Sequence, residues 1–196
     1  APGREEDASG RPFIGQAGRE FNENYLSLAG LDRDEVYVTN TMKCRPNAMN
    51  RKPTAKEVQG CGGHWLPDEL REVQPSVVIL MGATAVSLLE DKVDLESDHG
   101  IPRQGKLWHW SGWIVPMYHP ALGLHDTGMM LPMLEDWEAL GKWLRSGMTR
   151  WQWPIDALEG KRDYRLIETR VEAEEYLHLC SGVSEPVLIG GDTESH

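Results

Sequence analysis

The chain has 196 residues, 40% hydrophobic and 26% charged, with a formal net charge of −11 at pH 7. That length holds one ordinary core with an appendage, and no apolar run is long enough for a membrane-spanning helix. Three cysteines make an odd number without framework spacing, which excludes a disulfide scaffold and points to a reducing compartment.

In chain order, Ala1-Pro2-Gly3 reads as the turn leaving a strand that lies ahead of it, so the chain is expected to continue upstream. Glu5, Glu6 and Asp7 follow, and Gly10-Arg11-Pro12-Phe13-Ile14-Gly15 forms a loop in which flanking glycines permit close backbone approach around one aromatic ring. Ala17, Phe21, Tyr25, Leu28 and Ala29 at helical spacing predict a helix over 17–31, with Gly30 as its stop. Residues 35–40 alternate as a short strand ending at Asn40. A helix over 55–73 is expected to be interrupted at Gly60, Gly62, Gly63 and Pro67. The continuous apolar runs at 77–81 and 114–118 predict buried parallel strands. A short helix over 83–89 follows the first; the second runs into His119-Pro120 and a loop over 122–125. Residues 129–144 form an amphipathic helix carrying Trp137 and Trp143. This alternation implies an α/β layered domain.

The negative balance weighs against a polyanion partner, but the charge is unevenly placed. No acid lies between Glu35 and Glu57, where Lys43, Arg45, Arg51, Lys52 and Lys56 occur; none lies between Asp98 and Asp126, where Arg103, Lys106 and four histidines occur. Both windows contain candidate site loops, so the local field there is positive or neutral. The chain lacks the Gly-x-Gly-x-x-Gly dinucleotide fingerprint after 77–81, a P-loop and a Ser nucleophile elbow. After Gly147 the character changes. Trp151, Trp153 and Pro154 lead into a charged connector, and a strand, helix, turn and second strand run toward Asp192-Thr193-Glu194.

Three ordered segments, Gly10–Gly15, Thr39-Asn40-Thr41-Met42-Lys43-Cys44-Arg45-Pro46 and His119-Pro120-Ala121, resemble the motifs of the uracil-DNA glycosylases, specifically the iron-sulfur enzymes of family 4. The resemblance spans 1–146. It implies a three-layer α/β/α sandwich around a four-stranded parallel sheet whose first strand is largely ahead of Ala1, and an enzyme that flips uracil from DNA and hydrolyses its N-glycosidic bond. By this resemblance Phe13 stacks on the base, with Gly3 in the same pocket. Asn40 accepts from uracil N3–H and donates to O4, a pattern that cytosine reverses. His119 stabilises charge on O2 as the base leaves. Glu6 lines the pocket near uracil C5 and helps order water, while Ala1 stands where some relatives carry an aspartate. Lys43 and Arg45 are expected at the DNA, as are Leu122, Gly123, Leu124 and His125 in the loop that enters the stack; His125 stands where the family commonly has Arg. Cys44 and Cys61 match two ligands of a [4Fe-4S] cluster completed by cysteines ahead of Ala1.

Residues 164–196 resemble the opening of a 3′→5′ exonuclease domain of family A DNA polymerases, joined by a linker over 147–163. Asp192 and Glu194 would hold Mg ions for such a nuclease, and the chain would be covalently continuous with a DNA polymerase in a bacterial cell or phage-infected host. Plainer readings stay open residue by residue. Asn40 also suits a turn, Glu6 a solvated helix entry, Cys44 and Cys61 ordinary thiols, and Asp192 and Glu194 a solvated acidic stretch. A non-catalytic uracil-sensing or DNA-positioning module of a polymerase is the rival function.

Overall fold

The computed structural model describes residues 1–45 and 51–148, all within the unit Ala1–Ala157. Its sheet is built on β1 (Val77–Met81), β2 (Arg103–Leu107) and β3 (Trp110–Met117), in the order β1-β3-β2. β1 runs parallel to β3 in the register Val77↔Trp113 to Met81↔Met117. β2 runs antiparallel to it, from Arg103↔Ile114 to Leu107↔Trp110. A two-residue turn joins them, with Trp108 at φ 53°, a left-handed position that suits a tight hairpin. The described residues therefore carry three strands, one of them antiparallel, in place of the four parallel strands expected. β2 escapes sequence reading because Arg-Gln-Gly-Lys-Leu is a polar edge strand with one buried end.

The side-chain period of two divides this sheet between two cores. Val115 and Met117 join a cluster with Phe21, Tyr25, Leu26, Met133, Trp137 and Leu140, against which Val77, Ile79 and Met81 pack. Ile114 and Leu80 join Val86 and Leu107 on the other, with Val78 and Leu70 beside them. Tyr25, Leu26, Met133, Trp137 and Leu140 are at most 1% exposed, and each contributes roughly 1.5–3 kcal/mol by burial.

The helices are α1 (Arg4–Ser9), α2 (Gln16–Glu20), α3 (Leu26–Ala29), α4 (Ala55–Val73), α5 (Ala83–Val86), α6 (Leu95–Asp98), α7 (Ala121–His125) and α8 (Met130–Arg145). The helix read over 17–31 appears as α2 and α3 joined through a π-helical turn, Phe21–Tyr25, and it stops at Gly30 with φ 69°. α4 is continuous, contrary to the expected interruption. Its N-terminus is fixed by a capping box between Thr54 and Glu57, and Val58, Gly62 and Leu66 form a buried stripe. Packing along that stripe outweighs the weak propensity of its glycines and Pro67.

The strand expected over 35–40 is instead a capped 3-10 turn, Arg33–Glu35, with Val36 extended after it and no pairing to a described strand. Between this segment and β1 lies an apolar slot of about 560 Å³. Residues 122–125, read as a loop, lie within α7, while α1 was too short and acidic to show helical periodicity. Among the described residues no helix is long and apolar enough to cross a membrane.

Candidate functional site

Two adjoining clefts open at the C-terminal ends of β1 and β3. The larger, of about 620 Å³, is lined by Asn40, Gly82, Tyr118, His119, Leu122 and His125 among others. The smaller, of about 350 Å³, is bounded by Gly3, Glu6, Gly15 and Ala17. Ala1, Phe13, Asn40, His119 and Ala121 belong to both. The three sequence segments that lie far apart in the chain thus meet at one place.

The Phe13 loop is held from beneath. Phe13 adopts φ 58°, a conformation that a bulky side chain enters only when its surroundings impose it. Glu6 imposes it from one side: its Oε1 accepts the backbone N–H of Ile14 at 3.0 Å and of Gly15 at 2.7 Å. Asn22 acts from the other, its Nδ2 donating to the Phe13 carbonyl at 3.3 Å. Gly18 lets the helix approach, since a Cβ there would lie 2.1 Å from the Phe13 carbonyl carbon. Burial pushes the Glu6 carboxyl up, but N–H groups of Gly15, Glu6 itself, Ile14 and Gly3 outweigh it and hold the pKa below its ordinary value. Glu6 is therefore an anion committed to the loop backbone. Gly3 precedes α1, with its α-carbon facing the Glu6 carboxylate.

His119 follows β3. Its Nδ1 accepts the Ala121 N–H at 3.1 Å, which fixes the tautomer and leaves Nε2–H as a donor. Burial lowers its pKa, against the raising effect of the Glu6 charge, so the ring is neutral at pH 7. The ring sits 5.7 Å from that of Phe13, centroid to centroid. Gly82, at φ 82°, passes directly under it; a Cβ at that position would lie 3.0 Å from the His119 Cβ.

Asn40 reaches the cleft from the 36–45 segment, which Lys43 ties down by donating to Thr39 Oγ1 at 2.6 Å and pairing with Glu69 at 2.5 Å. Lys43 thus pairs within the protein while its side chain stays partly exposed. Arg45 is half-buried on the same segment. On α7, Gly123 is buried, Leu122 packs on the core, and Leu124 is half-buried outside either core cluster. Leu122 lines the larger cleft, and His125 stands exposed at its rim.

Cys44 and Cys61 are free thiols, and Cys61 Sγ accepts the Lys43 N–H at 3.3 Å. That bond brings the Cys61 sulfur beside the residue preceding Cys44. Two thiols on adjoining segments, one already receiving an N–H, suit half of a four-thiolate cluster site. Among the described residues no three His, Cys, Asp or Glu side chains gather to hold a metal ion. Asp192, Glu194, Pro46 and the segments 149–163 and 164–196 lie outside the described residues.

Tyr118, Gly82 and Gly18 were not singled out for the site from sequence. An aromatic residue directly before His119 was the available signal for the first; the two glycines act through backbone contacts that only the fold creates.

The family model described as Uracil DNA glycosylase superfamily matches residues 1–141. A type-4 uracil-DNA glycosylase of Archaeoglobus fulgidus is 35% identical over 147 residues, 72% of this chain and 72% of the relative. One of Thermotoga maritima is 38% identical over 141 residues, 70% of each chain. A third, of Saccharolobus solfataricus, is 30% identical over 151 residues, 74% of this chain and 69% of the relative.

Proposed function

The chain belongs to the uracil DNA glycosylase superfamily, and from that premise we propose that it excises uracil from DNA by hydrolysing the N-glycosidic bond. The observation that carries the proposal is the convergence on one cleft of Phe13, Asn40 and a His119 whose Nδ1 is already taken by the Ala121 N–H. Flipping brings the base out of the stack. Phe13 offers its ring, and the Asn40 amide matches the N3–H and O4 edge. The N1–C1′ bond breaks with its electron pair going to uracil, whose negative charge at O2 meets the His119 Nε2–H. Water supplies hydroxide to C1′, and its proton leaves with the base or to solvent. A donor preorganised in a partly buried site stabilises such charge without having to reorient. Glu6 contributes the fixed loop and an anionic wall, and helps order water. Leu124 and His125 are proposed at the DNA stack, with Arg45 on the approaching strand.

A [4Fe-4S] cluster is proposed on Cys44 and Cys61 with two further thiolates of the protein. When bound it supplies a covalent cross-link between the Asn40–Arg45 segment and α4. A fourth strand, parallel to β1, is proposed for the apolar slot between residues 36–39 and β1, which offers hydrophobic side chains on both sides. The family match ends at residue 141; the exonuclease reading of 164–196, with Mg at Asp192 and Glu194 and continuity with a polymerase, rests on the sequence pattern there.

The test incubates the protein with a labelled uracil-containing strand and scores abasic sites. Product lost in Asn40→Ala and His119→Ala supports the proposal; tight uracil-DNA binding without product by the unaltered protein favours a sensing or positioning module.

A further inference from the structure

One buried acid in this fold has no part in the chemistry above. Asp136, on α8, is 5% exposed in a helix face otherwise made of Met133, Trp137 and Leu140. Its Oδ2 lies 2.6 Å from His99 Nδ1. A carboxylate at such a position is costly unless paired, and the local structure is shaped around the pairing. Gly100, at φ 75°, leaves space where a Cβ would meet Asp136 Oδ1 at 2.5 Å, and its N–H donates to the Pro116 carbonyl on β3 at 2.8 Å. The His99-Gly100 turn is thereby pinned to both α8 and β3.

This arrangement fixes the plane of the His99 ring, and Tyr118 rests on that ring, the centroids 4.6 Å apart and the planes 38° apart. Tyr118 is a cleft residue and the neighbour of His119. Only Tyr118, His119 and Pro120 link the end of β3 to α7, so the setting of Tyr118 is transmitted to the next residue over a single peptide.

We propose that His99 is a positioning residue for His119: Asp136 orients the His99 ring, the ring seats Tyr118, and Tyr118 sets the turn that presents His119 to the cleft. The role assigned to His119 rests on the uracil-excising reading, whereas the positioning itself does not. Misplacement of a reacting group by about 1 Å costs up to about a hundredfold in rate, so the device has a measurable consequence even though His99 touches no substrate.

The experiment separates the ring from the hydrogen bond. His99→Asn keeps a side-chain N–H for Asp136 and removes the ring; His99→Phe keeps a ring and leaves Asp136 without its partner. Four readouts are taken on the full chain: melting temperature, affinity for uracil-containing DNA, single-turnover excision rate, and the side-chain ¹⁵N signals of His119. His99→Asn is expected to hold its melting temperature and affinity, to lose about tenfold or more in rate, and to shift the His119 signals away from a single tautomer. His99→Phe, whose ring Asp136 no longer holds, is expected to melt lower yet to perturb the rate and the His119 signals less than His99→Asn does. Wild-type rate and wild-type His119 signals in His99→Asn would overturn the proposal, as would rate losses that follow melting temperature across both variants. If the unaltered protein releases no uracil, the glycosylase reading fails alone, and the His119 spectrum still decides the positioning claim.

Discussion

Glu6→Gln isolates the charge that holds the Phe13 loop. The substitution preserves size and one acceptor oxygen, so the two loop bonds at 3.0 and 2.7 Å become neutral ones. Charge-assisted bonds contribute roughly 1.5–3 kcal/mol and neutral ones roughly 0.5–1.5. The side chain is half-exposed, and solvent screening reduces the loss across both bonds to about 1 kcal/mol. For a chain of this size that corresponds to a fall of about 2–4 °C in melting temperature at pH 7. The pH dependence identifies the cause. The folded-state pKa is below the ordinary 4.5, so the stabilisation is fully present above about 4.5 and disappears as pH falls through the lower folded value. The difference between wild type and Glu6→Gln, followed by circular dichroism melts from pH 7 downward, should shrink to nothing over that range. A difference that persists undiminished in strong acid, or none at pH 7, refutes the assignment of Glu6 as the anionic latch of this loop.

His119→Ala should lower the excision rate about 10²- to 10³-fold, the cost of removing one preorganised donor, with affinity for uracil-DNA retained in a binding assay. Because burial lowers the His119 pKa from 6.5, its contribution to stability is present above 6.5 and lost as pH falls toward the folded value; His119→Gln should show a flatter melting profile there. Gly18→Ala places a methyl 2.1 Å from the Phe13 carbonyl carbon and should destabilise by about 1–3 kcal/mol, with slower excision as the Phe13 ring moves. Thr54→Ala removes the α4 cap bond and should cost about 1 kcal/mol while leaving excision rate unchanged. Cys61→Ser should abolish bound iron and acid-labile sulfide in the purified protein, measured by elemental and colorimetric analysis.

Much of the candidate cleft was legible because the residues that line it lie in short local motifs. Phe13 between glycines, Asn40 at the end of an alternating run and His119 before Pro120 each announce themselves within a few residues, and the apolar runs at 77–81 and 114–118 place the last of them at a strand end. What was not legible depends on partners distant in the chain. The alternation at 35–40 reads as a strand, but pairing needs a neighbour, and among the described residues β1 lies across an apolar slot. α4 runs through Gly60, Gly62, Gly63 and Pro67 because Val58, Gly62 and Leu66 pack together, a tertiary effect that propensity cannot express. The Glu69 partner of Lys43 lies far along the chain, so this ion pair is invisible in one dimension. Glu6 lines the cleft as read, but its hold on the Ile14 and Gly15 amides is invisible until the loop folds back over α1. His99 and Asp136 are 37 positions apart, and a lone acid on the apolar face of the 129–144 helix was the sole trace of their pairing.

Phe13, Asn40 and His119 are proposed to form one uracil-excising site. Its most direct test is the release of free uracil from a single-uracil oligonucleotide under single-turnover conditions, comparing wild type with Asn40→Ala and His119→Ala at equal occupancy of DNA. Stoichiometric uracil and abasic DNA are expected from wild type, with both lost in the two variants. Folded wild-type protein that binds the oligonucleotide and releases no uracil, or variants that release it at the wild-type rate, would contradict it.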